Sequence, residues 1–307
     1  MSPSLQVIAH APADKYWLYN NHFGLNFAPF SLTPDTRFFY SHDSCRVALN
    51  TLAIAVHSGE GFTKITGEVG TGKTVLCRKL LDALLDNYTL AYIPTPNMEP
   101  LALLAAIADE LGMSYPDNVT QHQLIKHLGL FIINSYAQQR RPIIICLDDA
   151  HTMPLDTLEA VRILSNIETQ QCKLIQLVFF GQTELDKTLD LPECRQLKQR
   201  ISFSHILRPI GKNNIHKYIN HRLSIAGYTG KELFTPAAIR RLSRASRGIL
   251  RLINILAHKS LMSAYGAGCD QVTDRHVNRA IADTDAVSFP NRFRHNYMGW
   301  LYNKSYK

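Results

Sequence analysis

The apolar residues of this chain recur with two periods, and the place where one gives way to the other divides the sequence. Up to residue 207, short apolar runs alternate with stretches whose apolar residues fall three and four apart. Ile143-Ile144-Ile145-Cys146-Leu147 is apolar throughout, the pattern of a strand buried on both faces of a parallel sheet. Residues 62–66, 90–93, 174–180 and 201–207 are read as further strands. Helices are predicted over 44–58, 74–86, 100–111, 120–139 and 154–167. In the first of them Val47, Leu49, Leu52, Ala53 and Val56 share a face, as an amphipathic helix requires. Pro94 and Pro96 close the second strand, and Gly112 closes the helix from Pro100. Strands alternating with helices predict an α/β fold, a parallel sheet with helices on both faces.

Beyond Pro209 the pattern is helical only, over 212–226, 236–248, 250–264 and 274–282. Thr235-Pro236 reads as an N-cap followed by a first-turn proline, and Thr273 as the cap of the last helix. Four segments follow: a lead-in over 1–43, an α/β core over 44–210, a small all-α domain over 211–286 and a tail over 287–307. The lead-in is aromatic (Phe23, Phe27, Phe30, Phe38, Phe39, Tyr40) and broken by Pro29 and Pro34, so it is expected to pack across a domain edge. In the tail Phe293, Tyr297 and Trp300 have helical spacing among Arg292, Arg294, Lys304 and Lys307. An arm packed on its own chain or a neighbour, a membrane-surface segment and a partner-docking segment all fit that pattern.

Composition adds an ordinary globular mixture, 46% hydrophobic and 19% charged over 307 residues. No apolar run approaches the roughly 20 residues of a membrane helix, and the best stretch, 101–111, contains Asp109 and Glu110. The first residues show no signal peptide. The six cysteines form no C-x-x-C pair and the histidines no H-E-x-x-H, which argues against a metal site built from side chains alone and for a reducing, cytoplasmic setting. The net charge of +8 is uneven: residues 1–199 hold 15 Lys+Arg and 20 Asp+Glu, residues 200–307 hold 18 and 5. A basic second part suits an anionic partner (nucleic acid, acidic lipid or acidic protein) or a solvated face with arginines aimed at phosphates.

The chemistry is concentrated in two motifs. Gly67-Glu68-Val69-Gly70-Thr71-Gly72-Lys73-Thr74 fits G-x-x-x-x-G-K-[ST] at every position, between a strand and a helix that opens near Val75. Its glycines let successive N–H groups face phosphate oxygens, and the helix adds its positive end. Lys73 is expected to reach the β- and γ-phosphates of ATP, and Thr74 to ligate Mg2+. The second motif is the apolar strand 143–147 ending in Asp148-Asp149. Asp148 is expected to hold magnesium, and Asp149 to orient and deprotonate the attacking water.

With these motifs the chain resembles the AAA+ ATPases, and more narrowly the ExeA/GspA-type secretion ATPases and the MshM-like proteins of type IV (MSHA) pilus biogenesis. The resemblance runs from about residue 19 to about 285. It is carried by Phe23-Gly24-Leu25, Pro29-Phe30-Ser31-Leu32, Phe38-Phe39-Tyr40, Gly59-Glu60-Gly61-Phe62, Asp148-Asp149-Ala150-His151, Gly181-Gln182-Thr183-Glu184-Leu185 and the stretch Ser246 to Asn254. It implies Gln182 as the sensor-1 residue at the γ-phosphate and Arg251 as sensor 2. It also implies Arg200, with Arg195 in reserve, as an arginine finger reaching a neighbouring subunit's ATP. It further implies a homo-oligomer, an ATPase assisting pilus or secretion-apparatus assembly, and a place in the cytoplasm or peripheral to the inner membrane. Two departures qualify it. The family's acidic pair is Asp-Glu, whereas Asp149 is one methylene shorter, so slow hydrolysis is expected. ExeA-type chains also continue into a membrane helix and a peptidoglycan-binding region, whereas this sequence is expected to be of the shorter, MshM-like form. A rival resemblance, to the TniB-type transposition ATPases, implies a DNA-associated regulator.

Overall fold

The computed structural model describes residues 18–59, 61–167 and 173–287. In chain order its elements are α1 (Asn20–Phe23), α2 (Asp43–His57), β1 (Phe62–Gly67), α3 (Lys73–Leu84), β2 (Thr89–Ile93), α4 (Pro100–Glu110), α5 (Gln121–Gln139), β3 (Ile143–Leu147), α6 (Leu155–Leu164), β4 (Ile175–Gly181), α7 (Glu184–Leu189), α8 (Arg195–Gln199), β5 (Ile201–Leu207), α9 (Lys212–Ile225), α10 (Pro236–Ser246), α11 (Leu250–Gly266) and α12 (Asp274–Ala282). They form two compact units. One is Thr33–Ile210; the other joins the described residues of Met1–Leu32 to those of Gly211–Lys307.

In the first unit five parallel strands lie in the order β2-β3-β4-β1-β5. The apolar run of β3 is explained by its two faces. Ile143, Ile145 and Leu147 pack with α4, α5 and α6 residues such as Leu104, Leu128 and Leu158. Ile144 and Cys146 pack on the opposite side with Leu52 of α2 and Leu76 and Cys77 of α3. Every residue of β3 and β4 is buried. Helix α5 opens with a reciprocal Thr120–Gln123 capping box. The short helices α7 and α8, absent from the periodicity reading, fill the path from β4 to β5. At six and five residues they span too few turns to show a 3.6-residue period.

The second unit is helical, apart from a parallel bridge between Phe234 and Val272. Thr235 caps α10 by accepting from the Ala238 N–H, 3.2 Å away. The lead-in is not one segment. Residues up to Leu32 fold onto the helices: Tyr19 Oη lies 2.8 Å from His258 Nδ1, the Asn26 N–H donates to Ala226 O at 2.7 Å, and buried Arg222 donates to the carbonyls of Pro29 and Ser31. Residues from Thr33 join the α/β unit, where Arg78 donates to Pro34 O at 2.8 Å. Among the described residues no helix is long and apolar enough to cross a membrane. The aromatic tail over 288–307 lies outside the described residues.

Candidate nucleotide site

The C-terminal ends of β1, β4 and β3 stand side by side and carry the expected chemistry. β1 runs directly into the glycine loop. Gly67 is its last residue, and a Cβ there would meet Leu207 O at 2.6 Å and Thr71 Oγ1 at 3.1 Å, so only glycine fits. Gly70 and Gly72 hold φ of 80° and 100°, which a side chain would strain. Thr71 is fully buried, its hydroxyl donating to Glu68 O at 2.9 Å. The loop thus curls over its own backbone and delivers Lys73 as the first residue of α3, with Thr74 and Val75 in the same first turn.

Lys73 is buried and its Nζ donates to the carbonyls of Gly67 and Glu68, at 2.9 and 3.0 Å. Burial lowers its pKa, and the carboxylates of Asp148, Asp149 and Glu184 oppose that shift. A lysine in a low-dielectric cradle beside three carboxylates presents its Nζ where a polyanion would be held.

Asp148 follows β3, 2% exposed. Burial raises its pKa; the Thr74 hydroxyl and the Asp149 N–H pull it down, and the Asp149 carboxylate pushes it up. Its Oδ1 accepts from the Asp149 N–H at 3.0 Å, and its Oδ2 from Tyr92 Oη at 3.4 Å. A buried carboxylate beside a threonine hydroxyl offers hard oxygen donors of the kind magnesium takes, so the residues present fit that ion. Asp149 is exposed and left-handed, with φ 49°.

β4 lies between β1 and β3, so its end separates the glycine loop from the acidic pair by about 10 Å, two strand spacings. Gln182, half-buried, is the first residue past β4. Gly181 brings the two loops into contact, since a Cβ there would lie 3.3 Å from the His151 N–H nitrogen.

Of the other candidates, two belong to the α/β unit and one to the helical unit. Arg200, half-buried, turns its Nη1 onto Ser165 Oγ of its own subunit at 2.8 Å, and its charge lowers the pKa of Glu159. Arg195 is exposed at the start of α8. Arg251 is exposed in the first turn of α11, in the helical unit. Two residues of the cluster are assigned no role by the motifs. Glu184 opens the short α7, whose existence the periodicity did not show. Tyr92 is the penultimate residue of β2, a strand that no motif marks.

Comparison with known proteins agrees with this architecture. Residues 56–189 match the family model described as an AAA domain. The chain is 34% identical over 270 residues to general secretion pathway protein A of Aeromonas hydrophila, an alignment covering 88% of this chain and 49% of that protein. Its core has the AAA fold. Cdc6p of Pyrobaculum aerophilum superposes with a TM-score of 0.66 at 18% identity, over 83% of this chain and 70% of that one. The Aeropyrum pernix ORC1 protein, solved in complex with DNA, gives 0.62 at 18%, over 83% and 69%. At such identities the two structures speak for the fold alone. The chain has an AAA fold and is related to general secretion pathway protein A, and it spans about half the length of that relative. The AAA fold in turn implies nucleotide binding.

Proposed function

We propose that this AAA protein binds ATP with magnesium and hydrolyses it to ADP and phosphate. The observation that carries the reading is the assembly of Lys73, Thr74, Asp148 and Asp149 at the ends of β1 and β3, on either side of β4. In this reading the loop from Gly67 to Gly72 cradles the phosphates with backbone N–H groups. Lys73 neutralises the β- and γ-phosphates, while Thr74 and Asp148 hold the metal, which supplies positive charge at the phosphate oxygens. Gln182 positions the water and Asp149 takes its proton. The water oxygen bonds to the γ-phosphorus as the β–γ bridging bond breaks, and ADP leaves with the electron pair.

Arg200 or Arg195 completes the site of a neighbouring copy, and Arg251 reports the nucleotide state to the helical unit. An arginine finger contributes about 10³ to 10⁵ in rate, so turnover depends on oligomer formation. The output assists assembly of a secretion apparatus or an MSHA-like type IV pilus from the cytoplasmic side, a role supported by the 34% identity to general secretion pathway protein A. A second reading, a DNA-associated regulator of the TniB-like type, is favoured by the basic excess after residue 199.

The test is ATP hydrolysis by the purified chain over a protein concentration series, beside Lys73→Ala. Specific activity should rise with concentration and vanish in the variant. A wild type that binds ATP yet releases no phosphate at any concentration overturns the reading. Loss of surface pili or of secretion in cells carrying only Lys73→Ala supports the envelope role; unchanged pili and secretion remove it.

A further inference from the structure

The basic excess of the second half is not spread evenly over its surface. Helix α10 buries Ala238, Leu242, Ser243 and Ser246 and exposes Arg240, Arg241 and Arg244. Helix α12 buries His276, Val277 and Ala280 and exposes Arg275 and Arg279. The two exposed arcs meet edge to edge, because Arg241 Nε donates to Asn278 Oδ1 at 2.6 Å. Asn278 is exposed on α12 at the edge of the arc that holds Arg275 and Arg279. Five guanidinium groups therefore share one continuous face of the helical unit.

None of the five is ion-paired with a described residue. The one acidic residue on these arcs is Asp274, at the first turn of α12, where it complements the helix dipole. Elsewhere the same molecule pairs exposed cations locally, as in Arg46–Asp43 and Lys198–Asp190, so solvation of a helix face did not require leaving five arginines unpaired.

We propose that this α10–α12 face binds the phosphate backbone of double-stranded nucleic acid. Three features select that occupant. Every cation on the face is arginine, whose planar fork grips phosphate oxygens in pairs. Arg240 and Arg244, like Arg275 and Arg279, sit four residues apart, about 6 Å along rigid helices, so the charges form a fixed lattice rather than flexible arms. The face also lacks what a membrane-surface helix needs. Neither helix exposes a large apolar side chain among the described residues, whereas interfacial helices insert one into the lipid. The binding is backbone-directed, since phosphate contacts position a protein on the duplex and carry no sequence information.

The inference does not rest on ATP hydrolysis and would survive its failure. It is tested with the full chain by anisotropy of a fluorescein-labelled duplex at 50, 100 and 200 mM salt (experimental settings on the order of physiological ionic strength). Wild type should bind with an affinity that falls about 10²-fold across that range, as for about four neutralised phosphates. Combined Arg240→Gln, Arg244→Gln, Arg275→Gln and Arg279→Gln should weaken binding at least about 30-fold and flatten the salt slope by about 3. Arg→Lys at the same four positions should retain part of the affinity. Lys126→Gln with Arg141→Gln, exposed cations of the α/β unit, should leave it unchanged, and thermal melts check that all variants fold. Equal binding by wild type and the fourfold Gln variant overturns the proposal. So does a wild type that ignores DNA but sediments with vesicles of phosphatidylglycerol, or one that binds polyglutamate as tightly as the duplex.

Discussion

Asp149 occupies a backbone position that few side chains tolerate. Its φ of 49° is left-handed, a region in which aspartate is several-fold enriched. In the proposed reading Asp149 takes the proton of the attacking water, and it is one methylene shorter than the glutamate that the resemblance to the ExeA/GspA-type ATPases implies. Asp149→Glu should raise kcat about tenfold while lowering thermal stability, and Asp149→Asn should lower kcat about 10²-fold or more with nucleotide affinity held. Phosphate release and melting curves on the two variants check both halves. A slower Asp149→Glu enzyme would mean that reach is not what limits the step. Gly67 obeys a stricter rule, because its neighbour is backbone. A methyl group 2.6 Å from Leu207 O forces β1 and β5 apart. Gly67→Ala should cost about 1–3 kcal/mol in chemical unfolding and weaken nucleotide binding as well.

At the scale of elements, what holds β1 to α7 is electrostatic. Lys64 of β1 pairs with Asp186 of α7, their side chains 14% and 35% exposed, and Thr66 Oγ1 donates to the same carboxylate at 3.3 Å. Because α7 begins two residues after Gln182, this pair fixes the loop that carries Gln182 against the strand that carries the glycine loop. Asp186→Asn should cost about 1–2 kcal/mol, discounted for the exposure of the carboxylate, and lower kcat more than it raises KM. An effect on stability alone would make the pair structural only. These elements also show how far the sequence could be read. β3, β5 and α12 fall where the pattern puts them, and Thr235 caps α10 as its residue type requires, because strict apolar runs and capping residues are local signals. The glycine loop and acidic pair are legible for the same reason. The helices α7 and α8 are not, since their boundaries come from packing between β4 and β5 rather than from periodicity. The split of the lead-in at Leu32 is equally hidden. It depends on carbonyls of Pro29 and Ser31 meeting Arg222, some 190 residues away, a pairing that no local pattern announces. Glu184 is legible as part of the Gly181 to Leu185 stretch, but its electrostatic interaction with Lys73 is not.

Across the whole molecule, both units bury histidines. Burial lowers the pKa of His42 and His205 in the α/β unit, and of His258 and His276 in the helical one, with Lys259 and Arg279 pushing the latter two the same way. A histidine whose folded pKa is depressed binds protons more weakly folded than unfolded. Above the unfolded value of about 6.5 neither state is protonated and these groups cost nothing. As pH falls below that value the unfolded chain takes up protons that the folded chain refuses, so stability drops, by at most about 1.4 kcal/mol per pH unit for each histidine. The drop continues until pH passes the depressed folded values. Asp148, its pKa raised by burial, acts in the opposite sense, since the folded state gains its proton first, but a single carboxylate does not offset four histidines. Thermal stability should therefore decline steadily from pH 7 to pH 5. His258→Gln should make the decline shallower while costing some stability at pH 7.5, where the contact between Tyr19 and His258 is lost. Melting curves at half-unit pH steps on both proteins decide it: parallel declines would clear His258 of any part in the acid response, and a flat wild-type curve would mean that the buried imidazoles titrate as they do in the unfolded chain.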